Sequence, residues 1–326
     1  MWACLRVKIK MAAPMASYSA VKLALNPVKT CHLWNSVSAR NVLPSFNQAI
    51  FHHEKRRFCA ESSQPLTQVT QVDGIRKITL SNPKKRNALS LAMLSRVTEE
   101  LTQDVDDGNL RAIIIASQGP VYSAGHDLRE LTTRTGRAYH TEVFKKCSEM
   151  MMLIEDLPVP VIAQVKGLAT AAGCQLVASC DIAIAADTAR FATPGISVGL
   201  FCSTPAVAMG RAVPKKIAMQ MLLTAEPITA EEALRHGLIS KVVPEEAVEE
   251  ETMRIAQKIC EYSSSVISLG KACFNTQMKM DRNSAYDHAS DVMVNNLSLV
   301  EGQEGIDAFV NKRSPVWKHG FDKAHD

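Results

Sequence analysis

Apolar positions recur along this chain with two different periods, and the switches between them divide it. Two short runs, Thr67 to Val72 and Ile75 to Leu80, meet at Asp73-Gly74. That dipeptide favours a tight two-residue turn, so the pattern predicts an opening pair of antiparallel strands. Ser81 to Asn87 (SNPKKRN) is a polar loop, after which Ser90 stands as the N-cap of a helix with Leu94, Val97, Leu101 and Val105 on one face. This helix is expected to stop at Asp107-Gly108. Arg111 to Ser117 reads as a short apolar strand, and Gly136 to Asp156 as a long helix burying Val143, Cys147, Met150, Met151 and Ile154, with Leu157 just past its end. Pro158-Val159-Pro160 ends that helix and leads into a buried strand, VIAQV. Ile182 to Ala186 is a further strand, Arg190 to Gly199 an extended segment, Leu200 to Pro205 an irregular loop and Ala206 to Arg211 a small-residue helix. Short helices are expected over 214–223 and 229–236, the second capped by Thr229. From about residue 245 only helical periodicity remains, over 245–261, 264–279, 284–296 and 301–312. The order predicts a layered α/β core with crossover connections, followed by an all-helical region. No repeat of fixed period is visible.

Two stretches follow neither period. Lys166 to Asp181 (KGLATAAGCQLVASCD) is a turn of small residues that opens a helix near Gly173, and in VYSAGHDLREL (121–131) Ser123-Ala124-Gly125 leaves the amide of His126 at the start of a helical turn. Small side chains leave backbone N–H groups uncovered, and a helix N-terminus adds its positive end, so an anionic oxygen could sit at either turn. Close packing of strand on helix is the alternative reading of one such turn. Two separated turns, each offering an amide, are what a thioester carbonyl needs if its oxygen is to become an enolate, because donors act where charge develops.

Composition changes the picture mainly at the front. Residues 1–60 hold nine Lys or Arg against one acid, Glu54; taken from totals of 37 and 33, these leave 28 basic and 32 acidic residues, a net of −4, for 61–326. The body carries no basic footprint for nucleic acid. A basic, Ser-containing, acid-poor segment over 1–60 predicts a disordered mitochondrial transit peptide cleaved near Ala60, the alternative being a basic tail. No run of ~18 apolar residues predicts a membrane span. The nine cysteines are never spaced C-x-x-C, so no metal site is expected and they read as buried small residues.

Four motifs in order then carry a family resemblance: SAGHDL at 123–128, GLATAAGCQL at 167–176, RFATPGISVGL at 190–200 and EGIDAFVNKR at 304–313. Together, over about Val69 to Trp317, they resemble the enoyl-CoA hydratase/isomerase (crotonase) family. The resemblance implies a crotonase-like spiral of ββα units over 61–256 and a C-terminal helical region over 257–326 that helps form homotrimers or dimers of trimers. It implies that the amides of His126 and Ala172 form an oxyanion hole for a coenzyme A thioester, with no permanently bound cofactor. Lys84, Lys85, Arg86 and Arg129 would lie near the phosphates and adenine of coenzyme A, and Lys312 near a phosphate, from a neighbouring subunit in one arrangement. A solvated surface is the alternative for these cations. A role in fatty acid and lipid metabolism in the mitochondrial matrix is implied as well.

The chain departs from the family at the two glutamates with which its hydratases hold and deprotonate water: by motif position these fall on Gln175 and Gly195. A carboxamide does not titrate near neutral pH, and glycine supplies no group at all. Ordinary hydration is therefore expected to be very low. Asp127 is expected to cap the local helix, Ser203 lacks a base, and His140 and His236 read as surface or capping residues.

Overall fold

Asp73 and Gly74 both adopt left-handed backbone angles, φ 50° and 77°, as a two-residue hairpin turn requires. They join β1 (Thr67–Val72) to β2 (Ile75–Leu80) in antiparallel register. The computed structural model describes residues 65–106 and 108–325, and the transit-peptide expectation for 1–60 lies outside them. In α1 (Leu91–Thr102) the Ser90 hydroxyl accepts the Met93 N–H at 3.2 Å, and Met93, Leu94, Val97 and Leu101 are buried. The helix ends five residues before the expected Asp107-Gly108 stop, so Val105 packs on the core from beyond it.

Next come three pairs of strands, each followed by a helix. They are β3 (Ala112–Ser117), β4 (Val121–Ser123) and α2 (Gly136–Asp156); β5 (Val161–Val165), β6 (Leu168–Thr170) and α3 (Ala172–Ser179); and β7 (Ile182–Ala186), β8 (Arg190–Ala192) and α4 (Ser203–Ala212). After them run α5 (Lys215–Thr224), β9 (Ile228–Thr229), α6 (Ala230–Arg235) and β10 (Lys241–Val243). The first strand of each pair enters a six-stranded sheet, β1-β2-β3-β5-β7-β10, and the second a four-stranded sheet, β4-β6-β8-β9. This is a spiral of ββα units, with every pairing after the hairpin parallel except β8 with β9. The central strands are apolar on both faces, as parallel strands covered on both sides are. Ile113 and Ile115 face the main core while Ile114, with Ile162 and Ile184, faces Ala256 of α7 (Val248–Cys260).

The all-helical region continues as α8 (Ser264–Gln277), α9 (Arg282–Ser298) and α10 (Val300–Val310). One side chain pins α8 to the core. The Lys271 ammonium, 8% exposed, donates to the carbonyls of Ile154 at 2.8 Å and Val159 at 3.0 Å and to Asp181 Oδ2 at 2.7 Å. Asp181 Oδ2 also accepts the Val161 N–H at 2.7 Å. Burial pushes the Asp181 carboxyl above its usual range, against the pull of Lys271. Lys271 thus fixes the start of β5, the strand that runs into the second small-residue turn.

Two segments differ from the sequence pattern. Of 190–199 only Arg190–Ala192 is extended; Pro194–Val198 then forms a 3-10 turn closed by Gly199 at φ 75°. The helix expected from Ala206 begins at Ser203, because Pro205 lies in its first turn, where no N–H is required of it.

Candidate active site

The first small-residue turn is held by a loop that carries three cations. Asn87, fully buried, donates its side-chain amide to the carbonyls of Gln118 at 2.9 Å and Val121 at 2.8 Å and accepts the Asn82 N–H at 2.9 Å. Its carbonyl receives the Ser123 hydroxyl at 2.9 Å. The Ala124 N–H donates to the Arg86 carbonyl at 3.0 Å, and the Leu89 N–H to the Gly125 carbonyl at 2.8 Å. Lys84, Lys85 and Arg86 are therefore fastened beside His126, and their side chains are exposed. Asn87 was not singled out by the sequence pattern. An Asn in a polar loop gives no sign of tying a segment more than thirty residues away.

The second turn meets the first through missing side chains. A methyl group added at Gly125 would sit 2.9 Å from the Ala171 Cβ and 3.1 Å from the Ala172 amide nitrogen. One added at Gly173 would sit 2.5 Å from the Ser123 carbonyl oxygen. The two turns can touch only because these residues are glycines. A trans peptide points its carbonyl and its N–H in opposite directions. With the Gly125 carbonyl taken by Leu89, and the Ala171 carbonyl by the Gln175 N–H at 3.0 Å, the N–H groups of His126 and Ala172 face away from those bonds. Neither N–H has an acceptor among the described residues. Two such donors on turns in contact, one of them at the N-terminus of α3, are the kind of group that holds an oxygen carrying negative charge.

Backbone strain holds the second donor. Ala171 adopts φ 50° and ψ −119°, a conformation suited to glycine, while its N–H is fixed to the Ala192 carbonyl at 2.9 Å. Such a residue costs ~1–3 kcal/mol and persists where its surroundings over-determine it. Ala171→Gly is expected to raise the unfolding free energy by about 1 kcal/mol, net of the freedom glycine gains in the unfolded chain. Urea titration reads this directly, and a loss of stability would show that the backbone there is unstrained.

The surroundings of the His126 imidazole favour its neutral form. Burial lowers its pKa against a hydrogen bond to the Leu89 carbonyl, 3.2 Å from Nδ1. That bond makes Nδ1 the protonated nitrogen, and the ring packs edge-on against Phe144 at 4.9 Å. The nearby acids each hold a backbone N–H with one oxygen. Asp127 accepts the Arg129 N–H at 3.0 Å, as a cap, and Glu130 accepts the Leu91 N–H at 2.8 Å.

Gln175 lies on α3, one turn from Ala172 and 4% exposed, its Oε1 without a partner among the described residues. Gly195 is more than an absent side chain. A methyl group there would lie 2.6 Å from the Leu200 carbonyl oxygen and 2.7 Å from Cys202 Sγ, and the Gly195 N–H donates to that sulfur at 3.3 Å. The volume of a side chain at 195 is filled by Cys202, whose thiol burial pushes upward. Cys174 beside it is pushed up to about 12. Arg129 and Lys312 are exposed. Lys312 lies just past α10, while the adjacent Arg313 is locked to Glu304 and Asp307 at 2.6 Å each. None of the five predicted coenzyme A cations forms an ion pair among the described residues. No three His, Cys, Asp or Glu side chains among those residues gather to hold a metal.

Relatives carry the same architecture. Enoyl-CoA hydratase domain-containing protein 3, mitochondrial, of Rattus norvegicus is 62% identical over 259 residues, 79% of this chain and 86% of its own length. The crystal structure of the human enoyl-CoA hydratase domain-containing protein 3 superposes with a TM-score of 0.77 at 61% identity, covering 78% of this chain and all of that one. An enoyl-CoA hydratase from Mycobacterium smegmatis superposes at 0.76 with 42% identity, over 78% and 99% of the two chains. The enoyl-CoA hydratase/isomerase profile matches residues 70–320, a span that takes in the ββα spiral, both small-residue turns and α8 to α10. With the fold and the sequence agreeing over that length, this chain belongs to the enoyl-CoA hydratase/isomerase family and has the crotonase fold.

Proposed function

We propose that the chain binds an acyl-CoA thioester, its carbonyl oxygen held by the N–H groups of His126 and Ala172, and that it does so without activating water. The observation that carries this is the contact of the two turns with their carbonyls committed elsewhere, which leaves two donors for one acceptor. Lys84, Lys85, Arg86 and Arg129, exposed and without an ion pair among the described residues, are the cations for the phosphates and adenine of coenzyme A, and Lys312 serves a phosphate, from a neighbouring subunit in a homotrimer or dimer of trimers. Phe309 at 85% and Tyr286 at 72% exposure are the kind of apolar surface such an assembly covers. The basic segment 1–60, together with the word mitochondrial in the relatives' names, supports import into the matrix.

A second reading concerns turnover. Gln175 does not titrate near neutral pH, Gly195 has no side chain, and Asp127 and Glu130 each hold a backbone N–H with one oxygen. Loss of carbon dioxide from a malonyl-type thioester fits such a site. The electrons of the breaking C–C bond pass into the enolate that the two amides stabilise, with no proton to abstract.

Ala172→Pro tests the reading. Proline is tolerated at the first position of a helix, and it deletes the N–H. Calorimetry is expected to show crotonyl-CoA binding weakened about tenfold or more, and binding of free coenzyme A, which has no thioester carbonyl, unchanged. Equal crotonyl-CoA affinity in variant and wild type would remove the oxyanion assignment.

A further inference from the structure

Ser123 ends β4 where the first small-residue turn begins, and its hydroxyl, with no exposed surface, makes two bonds of opposite sense. Oγ donates to the Asn87 carbonyl at 2.9 Å and accepts the Gly125 N–H at 3.2 Å. Among the described residues the Asn87 carbonyl receives no N–H, and the Gly125 N–H has no other acceptor. The accepted bond closes a local serine turn. The donated bond reaches 36 residues back, to the loop that carries Lys84, Lys85 and Arg86.

Gly125 is held on both sides by these contacts. Its N–H is taken by Ser123, its carbonyl accepts the Leu89 N–H at 2.8 Å, and its backbone is left-handed at φ 78°. The Gly125 carbonyl and the His126 N–H share one peptide plane, so fixing Gly125 sets the direction of that donor. Few side chains could do the same in this buried place. Alanine offers neither bond, an ionised aspartate accepts but does not donate, and a thiol does both weakly.

We propose that Ser123 is the positioning residue of the oxyanion hole, an inference that rests on the acyl-CoA reading of the site. Its hydroxyl aims the His126 N–H at the thioester oxygen and ties that donor to the cationic loop. The Gly125 N–H, the Ser123 hydroxyl and the Asn87 carbonyl form a chain in which each hydrogen bond polarises the next. Ser123 acts through Gly125, since it has no surface with which to touch a ligand. The loop itself does not depend on this hydroxyl, because the Asn87 side chain binds Asn82, Gln118 and Val121 on its own.

The test is the ratio of crotonyl-CoA affinity to free coenzyme A affinity, measured by calorimetry on the full chain and its variants. Ser123→Ala is expected to lower the ratio about fivefold or more, with the affinity for free coenzyme A unchanged. Ser123→Cys, which keeps a weak donor and acceptor, should fall between Ser123→Ala and wild type. Thr229→Ala breaks the capping box of α6 and costs stability elsewhere, so its ratio should stay at the wild-type value. A merely structural role would lower the unfolding midpoint of Ser123→Ala and leave its ratio alone. That result overturns the proposal, as does a wild-type ratio in Ser123→Cys if Ser123→Ala does not fold, or an equal loss of ratio in Thr229→Ala. A preference for crotonyl-CoA that survives in Ser123→Ala but is lost in Ala172→Pro removes this proposal alone. A wild-type chain with no such preference removes the acyl-CoA reading and the proposal with it.

Discussion

Restoring glutamate at position 195 is expected to yield a less stable protein and no hydratase. The Cβ alone would lie 2.6 Å from the Leu200 carbonyl oxygen and 2.7 Å from Cys202 Sγ, closer than non-bonded atoms approach, and a carboxylate must go beyond it. Overpacking of this kind costs roughly 1–3 kcal/mol or more. The loop from Gly195 to Cys202 occupies the space that a side chain at 195 would need, so substitution at that one position does not place a carboxylate in the site. Gln175→Glu has a different difficulty: that side chain is 4% exposed, its Oε1 has no hydrogen-bond partner among the described residues, and a carboxylate there is desolvated. General acid–base catalysis is worth ~10²–10⁴-fold, so from a typical rate of ~10² s⁻¹ the single variants and the pair should hydrate crotonyl-CoA below about 1 s⁻¹. Loss of the ultraviolet absorbance of the enoyl thioester measures this. A double variant near ~10² s⁻¹ would mean that Cys202 and Leu200 yield, and that the two substitutions alone account for the difference from a hydratase.

Lys271→Met is expected to cost about 3–5 kcal/mol, the range for removing one member of a buried pair. The substitution strands the carbonyls of Ile154 and Val159 and leaves the Asp181 carboxyl with only backbone N–H groups, those of Val161 and Asp181 itself. That is a large share of the ~5–15 kcal/mol by which a domain is stable. Because these groups flank the start of β5, loosening them should reach the Ala172 turn, and crotonyl-CoA affinity should fall with stability. Lys279→Met is the control on the same helical region. Its pair with Glu155 spans 3.8 Å with side chains 64% and 38% exposed, so it should cost under ~1 kcal/mol. Urea unfolding of both variants separates the two cases. Equal effects would show that Lys271 is no better buried, energetically, than a surface lysine.

The course of the main elements was legible in the pattern. The hairpin at Asp73-Gly74, the caps at Ser90 and Thr229, the 21-residue α2 and the run of helices after residue 245 announce themselves by period and punctuation. Strands of two or three residues, β6, β9 and β10, are too short to show a period. The ββα repeat was invisible for a related reason: α2 has 21 residues and α3 has 8, so equivalent positions never recur at a fixed interval. At the site, the small-residue turns and the substitutions at Gln175 and Gly195 could be read from the motifs. What sequence could not show is who touches whom. That Gly125 abuts Ala172, that Cys202 fills the space of a side chain at 195, that Asn87 ties the cationic loop to His126, and that Lys271 bolts α8 to β5 are all long-range contacts. None leaves a local mark on the chain.

The central claim is that the two amides bind a thioester in a site with no base to activate water. Its most direct measurement is a titration of the wild-type chain with crotonyl-CoA, following binding heat and enoyl absorbance together. Saturable binding, tighter than that of free coenzyme A, with hydration below about 1 s⁻¹ is the expected result; hydration on the order of 10² s⁻¹, or no binding beyond that of coenzyme A, would contradict it.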